Sequence, residues 1–225
     1  MADDLGDKRG TNKPGPDVYE PLGMALPLSE QVQGLFLRRA RSRIVQLLKE
    51  TGARTVLDVC CGSGCLACRL TLEGLDVTGV DSSATMLTRA KEKHRAANFI
   101  QCDAAELSFS GRFDAAVISL ALHEMDPGTR EAVWRGMRRL VRVGGLLIAL
   151  DFTIPKEKRW YTRLIGGLID KDEQQMGSIH PPHYRNYEEF MGSGGLEGWL
   201  QSREQDRTTA HYFAGGNLGV FAVAA

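Results

Sequence analysis

The chain has no excess of charge of either sign: Lys plus Arg is 28 and Asp plus Glu is 28 in 225 residues. That argues against a nucleic-acid partner held by bulk positive charge. Long apolar runs are also lacking. The run Leu146 to Leu150 has five residues, whereas a membrane span needs about 20. The opening MADDLGDKRGTNKPGPD has no apolar stretch of the secretory kind. Cysteine is sparse and odd in number, five in all, with Cys60, Cys61, Cys65 and Cys68 crowded together. That is no extracellular disulfide framework, and a reduced, cytoplasmic protein is expected. No internal repeat or low-complexity tract is present.

What is there is an alternation of short apolar runs and amphipathic stretches. Residues 1–17 are polar and aperiodic and are expected to form a disordered tail. A short helix is expected from Ser29 to Arg38, then a second carrying Leu37, Ala40, Ile44, Leu47 and Leu48 and ended by Gly52. Strands are expected at Val56–Val59, Val77–Val80, Phe99–Ile100, Ala115–Ile118 and Leu146–Leu150. Helices are expected at about 83–93 and 128–140, with Gly144 and Gly145 turning into the last of these strands. Strands alternating with helices make βαβ units and a doubly wound, mostly parallel sheet. Beyond Asp151 the expectation is a helix at 156–172, a loop at 177–182, and a helix from an Asn186/Glu189 capping box to Leu200. A terminal hairpin turns at Gly215-Gly216-Asn217. The whole reads as one α/β domain, 18–225, in which 153–200 forms a lid and helices.

Open α/β sheets bind ligands beyond the carboxyl ends of their strands. Asp58 lies in the first expected strand, while Asp81, Asp103 and Asp151 follow the second, third and fifth, and Ser119 and His123 follow the fourth. After the first strand comes Gly62-Ser63-Gly64-Cys65-Leu66-Ala67. Such a turn lets backbone approach a ligand without a Cβ in the way and aims helix N–H groups at it. Asp81 lies 17 residues past Gly64, a placement that suits a carboxylate on ribose hydroxyls. Asp103 and the backbone of Ala104 suit the edge of an adenine.

VLDVCCGSG, VTGVDSSATML, NFIQCDAAEL and FDAAVISLALHEM together resemble the class I S-adenosylmethionine-dependent methyltransferases, in particular the quinone-biosynthesis and small-molecule type. The resemblance covers about 54–126. It implies a seven-stranded sheet with its last strand antiparallel, S-adenosylmethionine as cofactor, and a small-molecule methyl acceptor. It also implies that Asp58, Cys60, Gly62 and Gly64 surround the methionine part and that Asp81 takes the ribose. Ser82 and Met86 would flank the adenine, Asp103 and Ala104 would meet its edge, and Ser119 and Leu120 would lie behind the sulfonium. Tyr19 would close over the cofactor. The family usually has Gly at the position of Cys60. With an ordinary backbone, the Cys60 Cβ must point away from the cofactor.

Three rival readings use the same residues. A nicotinamide-dependent dehydrogenase shares G-x-G-x-x-A plus a later acid, but Asp58 stands where that fingerprint wants an apolar strand. Cys61-x3-Cys65-x2-Cys68 has the spacing of radical enzymes that hold an iron–sulfur cluster. Against it, Ala67 replaces the usual aromatic, and buried cysteines serve as small hydrophobes. The third is a non-catalytic domain that keeps the fold.

Methyl transfer is an in-line displacement in which positioning supplies much of the rate, and a base is needed only when the nucleophile must lose a proton. His123, beside Glu124, is the candidate catalytic base. His180, His183, Tyr184, Arg185 and Tyr187, on a Pro-stiffened loop, are candidate acceptor-binding residues, as is Asp151. The H-x-x-H of His180 and His183 has no carboxylate or cysteine at matching spacing, so no metal is assigned. Lys156 to Ile165 is a basic and aromatic helix start. A membrane surface would attract such a helix, but packing of its apolar side against the domain is the favoured reading.

Overall fold

The computed structural model describes residue 17, residues 26–203 and residues 208–225, with the side chains of 26–36 and 208 outside the description. The elements run in chain order α1 (Leu26–Glu50), β1 (Thr55–Val59), α2 (Cys65–Leu72), β2 (Asp76–Asp81), α3 (Ala84–Lys93), β3 (Asn98–Gln101), β4 (Phe113–Ser119), α4 (Pro127–Leu140), β5 (Val141–Phe152), α5 (Trp160–Ile179), α6 (Pro181–Gly192), α7 (Gly195–Gln201), β6 (Thr208–Phe213) and β7 (Leu218–Ala224). Seven strands form one sheet in the order β3-β2-β1-β4-β5-β7-β6. β1 to β5 pair in parallel, and β7 runs antiparallel to both β5 and β6. The expected doubly wound sheet and terminal hairpin are both present.

Alternating side chains of the central strands feed two cores. Val56, Ala115, Val117 and Ile148 join α1, α2 and α3 on one face. Leu57, Ala116, Ile118 and Leu147 join α4 and α7 on the other. A parallel sheet covered on both faces needs this near-continuous apolar composition. Gly64 shows how tightly α2 seats: a Cβ there would lie 2.8 Å from the Phe99 ring and 3.0 Å from Ala90. Helix starts follow local chemistry. Asp126 caps α4 by accepting from the Gly128 and Thr129 N–H groups, with Pro127 in the first turn, and Ser83 caps α3 by accepting from Met86 N–H.

Several expectations are corrected. The two expected N-terminal helices are one continuous helix, α1. Gly144 and Gly145 lie within β5, where the pairing register with β4 shifts, rather than in a turn before it. α5 begins at Trp160 and runs on through the expected loop to Ile179. Pro181 and Pro182 open α6 instead of stiffening a loop. A fixed φ and a missing N–H are tolerated in the first turn of a helix, so the proline pair marks a helix start. Asn186 is internal to α6, and its side chain donates to the Glu124 carbonyl at 2.7 Å. Asp17, at the end of the expected tail, is docked: its carboxylate accepts from the Ser83 hydroxyl and the Thr85 N–H at the start of α3. No helix among the described residues is long and apolar enough to cross a membrane. Along α5, Trp160, Leu164 and Leu168 face outward, so the stripe expected to pack on the domain is exposed there.

Candidate active site

The carboxyl ends of β1, β2 and β4 build the first half of the site. Asp58 is fully enclosed on β1. It accepts from the Ala67 N–H, while its Oδ2 has no hydrogen-bond partner among the described residues. Burial pushes its carboxyl up to about 7, against the pull of Arg41. A buried carboxylate oxygen without a donor is costly, and an ammonium or amide from a ligand would satisfy it. Gly62 and Gly64 take left-handed backbone, and a Cβ on Gly62 would meet nothing within 4 Å. The loop therefore opens toward free space in front of α2, whose first N–H groups have no intrahelical partner. Asp81 spans that opening: its Oδ2 accepts from the Gly62 N–H at 2.8 Å and its Oδ1 from the Ser83 N–H at 2.9 Å. Burial raises its pKa.

Cys60 stands at φ +56 and Leu120 at φ +53. These residues follow the neighbouring central strands β1 and β4. Left-handed backbone in a residue with a side chain is strained, and such strain gathers at functional sites. Cys60 therefore does not keep an ordinary backbone: it adopts the conformation glycine would take. Ser119 is half-buried and Met86 buried, while Ser82 and Asp103 are exposed. Asp103 caps a short 3-10 turn that begins at buried Ala104, accepting from the Ala105 N–H at 2.8 Å. Tyr19 lies outside the described residues.

Burial raises the pKa of the thiols of Cys60, Cys61 and Cys68, which opposes cluster ligation. The antiparallel β7 between β5 and β6 also departs from the all-parallel dinucleotide-binding sheet.

The second half gathers around His123, on a short 3-10 turn after β4. Its Nδ1 lies 2.7 Å from Asp151 Oδ1. The Asp151 carboxylate also accepts from the N–H groups of Leu122, His123 and Phe152. The opposite ring nitrogen, Nε2, stands 3.6 Å from Glu173 and 3.8 Å from Glu124. His183 Nε2 is 2.5 Å from the same Glu173 oxygen. His123, Asp151, Glu173 and His183 are all buried. Burial disfavours a charged His123 ring, but Asp151, Glu173 and Glu124 outweigh it and lift its pKa to about 9. Phe152 and Tyr187 pack on the His123 ring at centroid distances of 4.6 and 6.1 Å. Both also line an apolar hollow of about 120 Å³ with Ile154, Ile169 and Met191.

Of the expected acceptor residues, the fold unites His123, Asp151, His183 and Tyr187. Tyr184 stacks on Tyr187 and donates to Asp170. His180 sits at the junction of α5 and α6, and Arg185 is exposed. Sequence reasoning missed Glu173, an acid on a helix with no motif around it. It also missed Arg130, which is fully buried and donates to the carbonyls of Leu122 and Met125 and to Glu189. Arg130 thereby clamps the turn that carries His123. An arginine on the apolar face of an amphipathic helix was the available signal.

A doubly wound sheet closed by an antiparallel seventh strand, with a glycine loop after β1 and acids beyond β1 and β2, defines a Rossmann-like methyltransferase fold. The sequence model of the methyltransferase-domain family matches residues 56–145. An uncharacterised methyltransferase of Synechocystis is 38% identical over 101 residues, covering 44% of this chain and 48% of the relative. A demethylmenaquinone methyltransferase of Thermotoga maritima is 32% identical over 146 residues, covering 59% and 63%. The chain thus matches less than two thirds of the length of these relatives. Among solved structures, the N-methyltransferase NodS of Bradyrhizobium japonicum, in complex with S-adenosyl-L-homocysteine, superposes with a TM-score of 0.63 at 14% identity, covering 93% of this chain and 98% of that one. A magnesium protoporphyrin IX methyltransferase of Synechocystis gives 0.57 at 18% identity, covering 84% of each.

Proposed function

We propose that the protein binds S-adenosylmethionine and transfers its methyl group to a small-molecule acceptor. The observation that carries this reading is the joint placement at one sheet edge of two halves. One holds the open glycine loop, the partnerless Asp58 oxygen and the Asp81 carboxylate; the other holds the buried His123–Asp151 pair. The cofactor supplies a methyl group on a sulfonium, a leaving group already activated. Asp58 and the loop would hold its methionine end, Asp81 its ribose, and Met86, Asp103 and Ala104 its adenine. The related enzymes named for quinone and porphyrin substrates support a small acceptor for this chain too. Zero formal net charge supports the same choice over nucleic acid. Five free cysteines suit a reducing, cytoplasmic setting.

Residues 153–200 serve as the acceptor-side cover of a single domain, because α5 and α6 contribute Glu173 and His183. The Asp151 carboxylate fixes the His123 ring and leaves Nε2 facing the acceptor side. There His123, held protonated up to about pH 9, takes a proton from an acceptor that must lose one only in its neutral form, so turnover should rise with pH toward about 9. Titration calorimetry with S-adenosylmethionine and S-adenosylhomocysteine tests the cofactor half: micromolar binding is expected for both. Asp81→Ala should cost about 2 kcal/mol, the loss of a charged hydrogen-bond acceptor. His123→Ala should leave cofactor affinity intact while lowering turnover about 100-fold or more. Absence of binding to either compound refutes the reading.

A further inference from the structure

Asp151 and Glu173 are buried carboxylates with Glu124 half-buried beside them, and two imidazoles are their buried partners within the same cluster. Carboxylates taken out of water need compensating charge. His123, Glu173 and His183 each present one ligand atom, and the three atoms lie within 4.8 Å of one another. We infer that these three side chains form a binding site for a non-redox divalent metal ion of zinc type, seated on the acceptor side of the sheet edge.

The donor set fits such an ion. Two imidazole nitrogens and one carboxylate oxygen make a three-ligand site that keeps a fourth position open. Tetrahedral zinc with N and O bonds of about 2.0–2.1 Å places its ligand atoms roughly 3.4 Å apart. His123 Nε2 and Glu173 Oε2 are already 3.6 Å apart, while His183 and Glu173, in direct hydrogen bond, must separate by somewhat under about 1 Å to reach that spacing. The surroundings fit as well. A ligating histidine characteristically gives its other N–H to a carboxylate, which fixes the tautomer and raises its basicity. Asp151 does this for His123 at 2.7 Å, and is itself held by three backbone N–H groups. Glu124, 3.8 Å from His123 Nε2 and 3.9 Å from His183 Nδ1, flanks the site. The apolar ring of Phe152 closes against His123. No short sequence motif announces the set, because the ligands come from the turn after β4 and from two consecutive helices.

What the ion does rests on the function proposed above: an acceptor oxygen takes the open position and is polarised there. With the ion bound, the His123 lone pair is committed to it, and activation passes from proton removal by the ring to polarisation by the ion. Binding of the ion itself does not depend on that reading. The test is a zinc titration of the metal-free full chain against a chromophoric chelator, with cobalt(II) as spectroscopic probe. One zinc per chain is expected, together with visible cobalt bands of a nitrogen- and oxygen-ligated site. Glu173→Gln and His183→Gln should each weaken zinc at least 10-fold without changing S-adenosylhomocysteine affinity, which also reports that the variants fold. Failure to bind zinc, or an affinity unmoved in both variants, overturns the site. So does a cobalt thiolate charge-transfer band, which would put the ion on the cysteines. Zinc binding without any S-adenosylhomocysteine binding refutes the methyltransferase reading and leaves the metal site standing.

Discussion

Asp58, near the end of β1, and Cys60, just beyond that strand, carry opposite kinds of cost. Asp58 is an enclosed acid whose folded pKa is raised from 3.8 to about 7 by burial. A raised folded pKa means that the folded state holds its proton longer than the unfolded chain does. The associated stability is complete below pH 3.8 and drains away as pH rises through 7. Asp58→Asn removes the titration. Denaturant melts at pH 5 and pH 8 should therefore show the wild type losing stability relative to the variant, with a slope approaching about 1.4 kcal/mol per pH unit for one proton; parallel curves would show that Asp58 ionises normally. The cost at Cys60 is conformational, φ +56 in a residue with a Cβ. Cys60→Ala and Cys60→Gly delete the same thiol, but only glycine relieves the left-handed backbone. The glycine variant should be the more stable of the two by about 1 kcal/mol in urea melts. The sequence shows why this comparison matters: the resemblance expects Gly at this position, and the chain keeps the glycine conformation with a cysteine in it.

At the scale of elements, the acceptor side depends on how α5 and α6 cross. A Cβ on Gly177 would lie 2.3 Å from the Tyr184 Cβ, so the two helices meet where one of them has no side chain. Gly177→Ala must push them apart. Since α5 carries Glu173 and α6 carries His183, the variant should disrupt the Glu173–His183 pair. The expected outcome is at least a 10-fold loss of turnover, with S-adenosylhomocysteine affinity unchanged because the β1 and β2 turns are untouched. A parallel fall in cofactor affinity would instead mean that the whole fold loosens. This crossing was also the least legible part of the sequence. Pro181-Pro182 reads as a break in a linear string, and it is one, but the break separates two helices rather than helix from loop. Glu173 and His183 meet across that break and pair with a histidine on the turn after β4, a relation that no local periodicity encodes. The cofactor half was legible because its chemistry is local: a loop after one strand and an acid at the end of the next.

The whole molecule is one sheet with a core on each face, and both cores share the strands that end at the site. The strand pattern was readable because parallel strands buried on both faces appear as short continuous apolar runs, and because the hairpin at the end carries glycine at its turn. The strand order was not derivable from periodicity, and the resemblance implied only the strand number and the antiparallel last strand. The shared sheet makes a thermodynamic prediction. A ligand that binds the glycine loop touches β1 and β2 directly, and these are central to both cores, so its binding energy should appear as stability of the entire fold and not as local tightening. At 100 times its dissociation constant, S-adenosylhomocysteine would add about 2.7 kcal/mol. For a chain of this size that corresponds to roughly 5–10 °C in melting temperature, at about 2–4 °C per kcal/mol. Calorimetric scans should show a single transition displaced upward by this amount. Asp81→Ala, tested at the same ligand concentration, should shift much less. If the ligand instead splits the transition in two, with only one part moving, the sheet does not unfold as a unit and the acceptor side melts independently of the cofactor half.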